Sequence, residues 1–300
     1  MMEQKSVLIL GVSGFIGRNL KEYLERSTQP YRIFAPTQKE FDISNQELVD
    51  KYLKEHHFDV IIHSAIYNPR IISDGDATKE LEINLRMFYN FERHQDRFGK
   101  MLYFGSGAEY DKRQSISMVA ENSPGNGIPD SDYGLYKYIT NKAILSSKNI
   151  INLRLFGLFG KYENWKRAFI SNACCKALYD LPITIRKNVF FDYLYVDDFC
   201  KMTEWFIHNK ASHCDYNLTS GKPIDLESLA KLVMKVSDKS LPLYIGEPGL
   251  AAEYTADNHR FLNEVEGFKF SPMESSVRSL YSWYQDNKEG IDLTSLLYQN

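Results

Sequence analysis

The chain has 300 residues, 43% hydrophobic and 25% charged, with a formal net charge of −3. That composition fits a globular protein with one large core or two joined ones, and it gives no reason to expect a nucleic-acid partner. No apolar run approaches the roughly 18 residues that span a bilayer, and the apolar part of MMEQKSVLILGVSG is too short for a signal peptide. A cytoplasmic protein with no membrane partner is therefore expected. Its four cysteines, Cys174, Cys175, Cys200 and Cys214, lack C-x-x-C spacing and read as reduced thiols, the first two as core packing. No His/Cys/Asp cluster suggests a metal.

Strand and helix signals alternate through the first half. SVLIL is a short β-branched run, followed by a glycine turn and the helical NLKEYLER. YRIFA reads as a second strand, QELVDKYLKEH as a helix and DVIIHSA as a buried strand. ATKELEINLRMFYNFERHQDRF is helical, MLYFGS a strand, YGLYKYITNKAILSS a helix and NIINLRLFG a strand. This order predicts an α/β fold, a Rossmann-type doubly wound parallel sheet covered on both faces. Residues 111–132 read as one long loop, a kind that is often functional. Past Gly160 the pattern loosens, with helices expected near 165–180, 197–208, 225–237 and 273–286. Short strands are expected at ITIR, FDYLYV and LPLYI, and a loosely held tail over the last ten residues.

Residues 11–17 read G-V-S-G-F-I-G, directly between the first strand and the first helix. The first glycine permits a tight turn, the second lets backbone approach a pyrophosphate, and the third lets helix and strand pack closely. The helix N-terminus behind them offers free N–H groups to phosphate. Gly11, Ser13, Gly14, Phe15, Ile16 and Gly17 are therefore candidates for holding a dinucleotide. An acid ending the second strand would bond the 2′-hydroxyl of NAD and repel a 2′-phosphate. Residues 34–38 carry none and Lys39 follows, so NADP(H) is preferred, with NAD possible. The expected organisation is an NAD(P)-binding domain over 1–160 and a smaller α/β substrate-binding region over 161–300, some of which returns to the sheet.

YGLYKYITNK contains Y-x-x-x-K twice, as Tyr133/Lys137 and Tyr138/Lys142. Positions i and i+4 share a helix face, and a lysine there lowers a phenol's pKa by stabilising phenolate. A phenol so tuned donates a proton to a carbonyl oxygen as hydride arrives at carbon. Spacing alone is weak, since 20 tyrosines and 23 lysines give about 1.5 matches by chance. The chain also has Tyr162/Lys166 and Tyr284/Lys288. Context favours Tyr133/Lys137, which begins a helix after the long polar loop. Tyr138 is carried about 7.5 Å further along the helix. Ser106, ending the strand MLYFGS, is the expected third member, its hydroxyl bonding a substrate carbonyl.

The G-x-x-G-x-x-G turn with a downstream Y-x-x-x-K resembles the extended short-chain dehydrogenase/reductases, in the NAD-dependent epimerase/dehydratase family acting on nucleotide sugars. VIIHSA, Asn84, the S-x-x-x-Y of Ser106 and Tyr110, and DYLYVDD carry the resemblance further. It implies that Asp42 and Ile43 hold adenine, that Ser64, Ala65, Ile66 and Lys137 hold cofactor, and that Phe156 and Gly157 lie near the nicotinamide. Tyr67, Asn68, Ser106 and Tyr133 would line the substrate cleft. A homodimer through helices near 77–96 and 133–147 is likewise implied.

Departures from that pattern narrow the reaction. Dehydratases of this branch follow their Ser/Thr with Asp–Glu, whereas Gly107 and Ala108 stand here and Glu109 is one place late. The compact stretch between the second strand and DVIIHSA looks like the GDP-fucose synthases and dTDP-4-dehydrorhamnose reductases, which use NADPH. The cysteine and histidine with which GDP-fucose synthase epimerises fall at Ala108 and near Ala168. An arginine of the R-D-F-x-x-V-D-D block falls at Phe191, with Arg186 or Lys187 as its candidate substitute. The expected activity is reduction of a keto group, at C4, of a nucleotide-linked deoxy sugar. A redox-neutral 4-epimerase with tightly held NAD and a non-catalytic dinucleotide sensor are the rival readings.

Overall fold

Strands that are apolar on both sides must be covered on both faces, and the chain satisfies this with one central parallel sheet. The computed structural model describes residues 4–70, 75–123 and 127–297. It runs β1 (Lys5–Leu10), α1 (Phe15–Arg26), β2 (Tyr31–Phe34), α2 (Gln46–Glu55), β3 (Phe58–His63), α3 (Glu80–Glu92), β4 (Phe98–Ser106), β5 (Ile116–Val119), α4 (Asp132–Ile144), β6 (Ile150–Leu155) and β7 (Gly157–Phe159). There follow α5 (Phe169–Leu178), β8 (Ile183–Asn188), β9 (Phe190–Phe191), β10 (Tyr193–Tyr195), α6 (Val196–His208), β11 (Asp215–Leu218), β12 (Ile224–Asp225), α7 (Leu226–Ser237), β13 (Leu243–Leu250), β14 (Tyr254–Ala256), α8 (His259–Glu264), α9 (Met273–Asp286) and α10 (Leu293–Leu297).

The central sheet has the order β11-β6-β4-β3-β1-β2, every neighbouring pair parallel. Alternate residues of each strand feed two cores, as the period-2 pleat requires. Val7, Ile9, Val60 and Leu102 join Leu20, Leu24, Phe199 and Phe206 from α1 and α6 on one face. Leu8, Leu10, Ile61 and Met101 join Val49, Leu53, Phe88 and Phe91 from α2 and α3 on the other. A third core joins α5, α7 and α9 around Cys174, Cys175, Leu229, Val233 and Leu280. The order reverses between β1 and β3, and in open α/β sheets the crevice beyond such a reversal is where ligands bind.

Three features depart from the sequence expectation, each through partners distant in the chain. The stretch 111–132 is not all loop, because Ile116–Val119 forms β5 and pairs with β14. FDYLYV is not one strand: it breaks at Asp192, whose carboxylate accepts from the Ser220 and Gly221 N–H groups and the Ser220 hydroxyl. β9 and β10 on either side of it enter different sheets. The expected tail instead carries α10, with Ile291 and Leu296 buried in the third core. β11 comes from the second half of the chain and lies in the central sheet beside β6.

Candidate active site

The glycine turn is built as its sequence requires. Gly11 adopts φ +82°, and a Cβ there would lie 2.6 Å from the Ala65 nitrogen. A Cβ on Gly17 would lie 2.4 Å from the Gly11 carbonyl oxygen, so the start of α1 sits against the turn itself. α1 has no side-chain cap and no acid in its first turn, which leaves its positive end open to a phosphate. A cleft of about 340 Å³ opens there. Gly11, Ser13, Gly14, Asp42, Ile43, Ser64, Ala65, Ile66 and Tyr67 all line it, together with Thr37 and Gln38. Phe15 and Ile16 pack instead against the core beneath α1. Lys39 is exposed and stands outside the lining. Glu40 turns back to accept from the Thr37 N–H and hydroxyl. The donor set and shape fit a dinucleotide.

Asn84 braces one wall. Its Oδ1 accepts from the Tyr67 N–H at 2.9 Å, and its Nδ2 donates to the Tyr67 carbonyl at 2.8 Å. The Tyr67 hydroxyl accepts from the Asp76 N–H at 2.8 Å. Asn68 Oδ1 accepts from the Arg70 N–H.

Tyr133 comes beside Ser106 at the carboxyl end of β4, and the Lys137 ammonium is anchored on the same strand. Ser106 ends that strand and caps the short turn Gly107–Glu109, accepting from the Ala108 N–H at 3.1 Å. Ser131 caps α4 by accepting from the Gly134 N–H, which places Tyr133 in the helix's first turn. Gly134 lets that turn approach the serine's, since a Cβ on it would lie 2.7 Å from the Ala108 carbonyl oxygen. The Tyr133 phenol lies beside the Ser106 hydroxyl. Burial raises the phenol's pKa, the serine lowers it, and Glu109 and Glu80 raise it further, with a net rise. Lys137 is 3% exposed. Its ammonium donates to the Phe104 carbonyl and, at 3.3 Å, to the Tyr103 hydroxyl. It lies 4.5 Å from the Tyr103 ring centroid. Burial pulls its pKa down to about 7, against the pull of Glu109.

Glu109 is engaged elsewhere. Oε1 accepts from the Ser106 N–H at 3.1 Å and from Asn152 Nδ2 at 3.0 Å, and Oε2 accepts from Arg154 Nε at 2.7 Å. Arg154, 1% exposed, also donates to Asn217 and Asp215. Removing one partner of such a buried pair costs about 3–5 kcal/mol, so the network fixes the floor under Ser106. Ala108 is buried behind the serine, and Ala168 is the N-cap residue of α5.

Other sequence candidates lie apart. Lys142 sits 5.1 Å over the ring of Tyr138, so the second register pairs with itself on the surface of α4. Arg186 is 91% exposed and bonds Glu247, which Lys187 also approaches, so neither cation is brought to Ser106. Phe191 packs edge-on to Tyr254 at 5.9 Å. Phe156 lies over Gly107, and the Gly157 N–H donates to the Asp192 carbonyl. His63 is buried with neither ring nitrogen hydrogen-bonded among the described residues. Among those residues no group of His, Cys, Asp and Glu is placed to hold a metal. No helix among them is long and apolar enough to cross a membrane.

Two residues at the site escaped the sequence reading. Tyr254, on β14, brings its hydroxyl oxygen to the turn that Ser106 caps, 2.5 Å from where a Cβ on Gly107 would lie. Lys112 places its ammonium 4.9 Å from the Tyr254 ring centroid. The only local signal was a short strand-like run, EYTA.

Comparison with known proteins bears on the family and the fold. A family model described as NAD dependent epimerase/dehydratase family matches residues 7–219. GDP-L-fucose synthase of Azorhizobium caulinodans is 38% identical over 65 residues, which is 22% of this chain and only 20% of that protein. The crystal structure of a GDP-L-fucose synthetase from Naegleria fowleri bound to NADP aligns with a TM-score of 0.83 at 14% identity, over 96% of this chain and 95% of that one. A GDP-mannoheptose C4 reductase from Campylobacter jejuni with NADP bound aligns at 0.80 and 18% identity, over 95% and 99%. At these identities the structural likeness is one of fold.

Proposed function

The chain belongs to the NAD dependent epimerase/dehydratase family, and from that premise we propose that it is an NADP(H)-dependent oxidoreductase reducing a keto group, at C4, of a nucleotide-linked deoxy sugar. The observation that carries this reading is Tyr133 beside Ser106 at the carboxyl end of β4, with Lys137 anchored on the same strand and Glu109 bound to Arg154 and withdrawn from chemistry. A dehydratase needs a free carboxylate next to the serine. An epimerising reductase of the GDP-fucose synthase kind needs the two groups replaced here by Ala108 and Ala168.

The cofactor, when bound, supplies hydride. The α1 N-terminus and the Gly11–Gly14 backbone would hold its phosphates, and Asp42 and Ile43, which line the same cleft, would hold its adenine. Thr37 and Gln38 line the cleft where an acid would disfavour a 2′-phosphate, which supports NADP(H). Ser106 donates its proton to the substrate carbonyl oxygen and opposes the charge that grows there. Tyr133 delivers the proton that completes the alcohol. Its raised pKa keeps it protonated through the neutral range, as a donor must be. Lys137 has two of its three N–H donors engaged and one free for a ribose hydroxyl. The relatives' names support a nucleotide sugar as substrate. α3 and α4 pack side by side, with Tyr89 and Leu145 exposed, and they are the faces through which a homodimer would form.

The test is Tyr133→Phe assayed beside Tyr138→Phe, following NADPH consumption with 4-keto-sugar nucleotides. Loss of the acid should lower kcat by about 10²- to 10⁴-fold, while Tyr138→Phe stays near wild type. Wild-type activity in Tyr133→Phe would sink the assignment.

A further inference from the structure

We propose that Lys112 is a substrate-binding residue: its ammonium, held over the Tyr254 ring beside the serine turn, takes the diphosphate of the nucleotide sugar. The inference rests on the nucleotide-sugar reading above and names the residue that meets the substrate's charge.

A diphosphate is held best by a cation that no carboxylate already neutralises. Arg154 is bound by Glu109 and Asp215. Arg113 grips the Asp111 carboxylate, with Nε at 2.8 Å and Nη2 at 2.7 Å. Arg186 and Lys187 share Glu247. Lys137 donates inward to the Phe104 carbonyl and the Tyr103 hydroxyl. Lys112 has no carboxylate within ion-pair distance among the described residues. Its ammonium rests instead over the Tyr254 ring, 4.9 Å from the centroid.

The place suits the far end of a sugar. The Tyr254 hydroxyl oxygen lies 2.5 Å from where a Cβ on Gly107 would be, so that end of the phenol marks the serine turn. Lys112 stands over the body of the same ring, one side chain away from the turn. In a pyranose, C1 and its phosphate stand across the ring from C4, so a carbonyl at Ser106 sends the diphosphate outward from the turn. The platform itself is fixed. β14 lies between β5 and β9, and the Met118 N–H donates to the Thr255 hydroxyl at 2.8 Å. The ring packs on Phe156 at 5.0 Å and on Phe191 at 5.9 Å. Phe191 offers no charge there, and Lys112 brings one to the same aromatic patch from a different part of the chain. A surface lysine ordinarily keeps its ammonium in water. Lys112 is exposed as a residue, yet burial around its ammonium lowers the pKa. An ammonium recessed without a counter-ion is destabilised, and a bound anion relieves it.

Lys112→Gln removes the charge and Lys112→Arg keeps it. NADPH-loaded protein is titrated calorimetrically with GDP, UDP and dTDP, each beside its uncharged nucleoside, so no turnover is needed. Wild type should bind at least one diphosphate, and Lys112→Gln should bind that one about tenfold or more weakly. The nucleoside should bind both proteins alike, and Lys112→Arg should recover most of the loss. With a 4-keto-sugar nucleotide the loss should fall on KM rather than on kcat, as for a contact made equally in ground and transition states. A lysine that merely propped Tyr254 would lower kcat and leave the diphosphate affinity alone, and that result overturns the proposal. Equal diphosphate affinity in wild type and Lys112→Gln overturns it too, and leaves the nucleotide-sugar reading standing. Wild-type protein that binds NADPH and none of the three diphosphates overturns both.

Discussion

Gly134→Ala tests whether the approach of α4 to the serine turn sets the site. The added Cβ would lie 2.7 Å from both the Ala108 carbonyl oxygen and the Pro129 Cβ, where ordinary contact begins at 3.4 Å. Relief needs a parting of about 0.7 Å between the turn that carries Ser106 and the helix that carries Tyr133. Alanine gains up to about 1 kcal/mol over glycine in a free helix. Overpacking costs about 1–3 kcal/mol, so the sum is a net loss of stability. A misplacement near 1 Å costs about 100-fold in rate, and a kcat lowered by about 10- to 100-fold is expected. The glycine turn proposed to hold the cofactor is separate, so NADPH affinity should change less than about twofold. Urea unfolding, NADPH consumption and fluorescence quenching by NADPH measure the three quantities. A Gly134→Ala protein as stable and as fast as wild type would falsify the reasoning.

Two further substitutions probe other parts of the frame. Gly17→Ala puts a Cβ 2.4 Å from the Gly11 carbonyl oxygen, a backbone atom that cannot turn aside; NADPH binding should weaken by at least about tenfold, and titration of the two proteins with NADPH checks it. Burial first, and the Lys137 ammonium second, hold buried His63 down to about 4 from an ordinary 6.5. A base with a lowered folded pKa keeps its stability above pH 6.5 and loses it as pH falls toward the folded value, so wild type should lose about 2 kcal/mol between about pH 7.5 and about pH 5 from this group. His63→Leu should lose that much less over the same interval in urea titrations, and equal losses in the two proteins would rule His63 out.

What was legible in the sequence was what is local in the structure. β1, the glycine turn and α1 lie within a few dozen residues, and their contacts with one another are those the spacing implies. The choice of Tyr133 over Tyr138 also rested on local order, a loop followed by a helix start. Tyr254 was beyond that reach, because it comes to the Gly107 turn only through a strand that pairs with Ile116 and Phe191. Glu109 was visible as a displaced acid, but not its engagement, which depends on Asn152 and Arg154 from β6. Arg186 looked like a spare cation near the missing arginine until Glu247, 61 residues on, was seen to hold it. Periodicity reports which face of an element is buried, and it is silent on which distant element does the burying.

The sheet of β12, β9, β14 and β5 draws strands from residues 116 to 256. On a ribosome, the strand that brings Tyr254 emerges long after the turn that carries Ser106. β1 through β4 and the helices between them can fold on the nascent chain while that strand is still being made. Every refolding event repeats this lag, because the closing contact spans more than a hundred residues of chain. A protein stalled at that stage would have its glycine turn formed while the strand that packs against the serine turn was still missing.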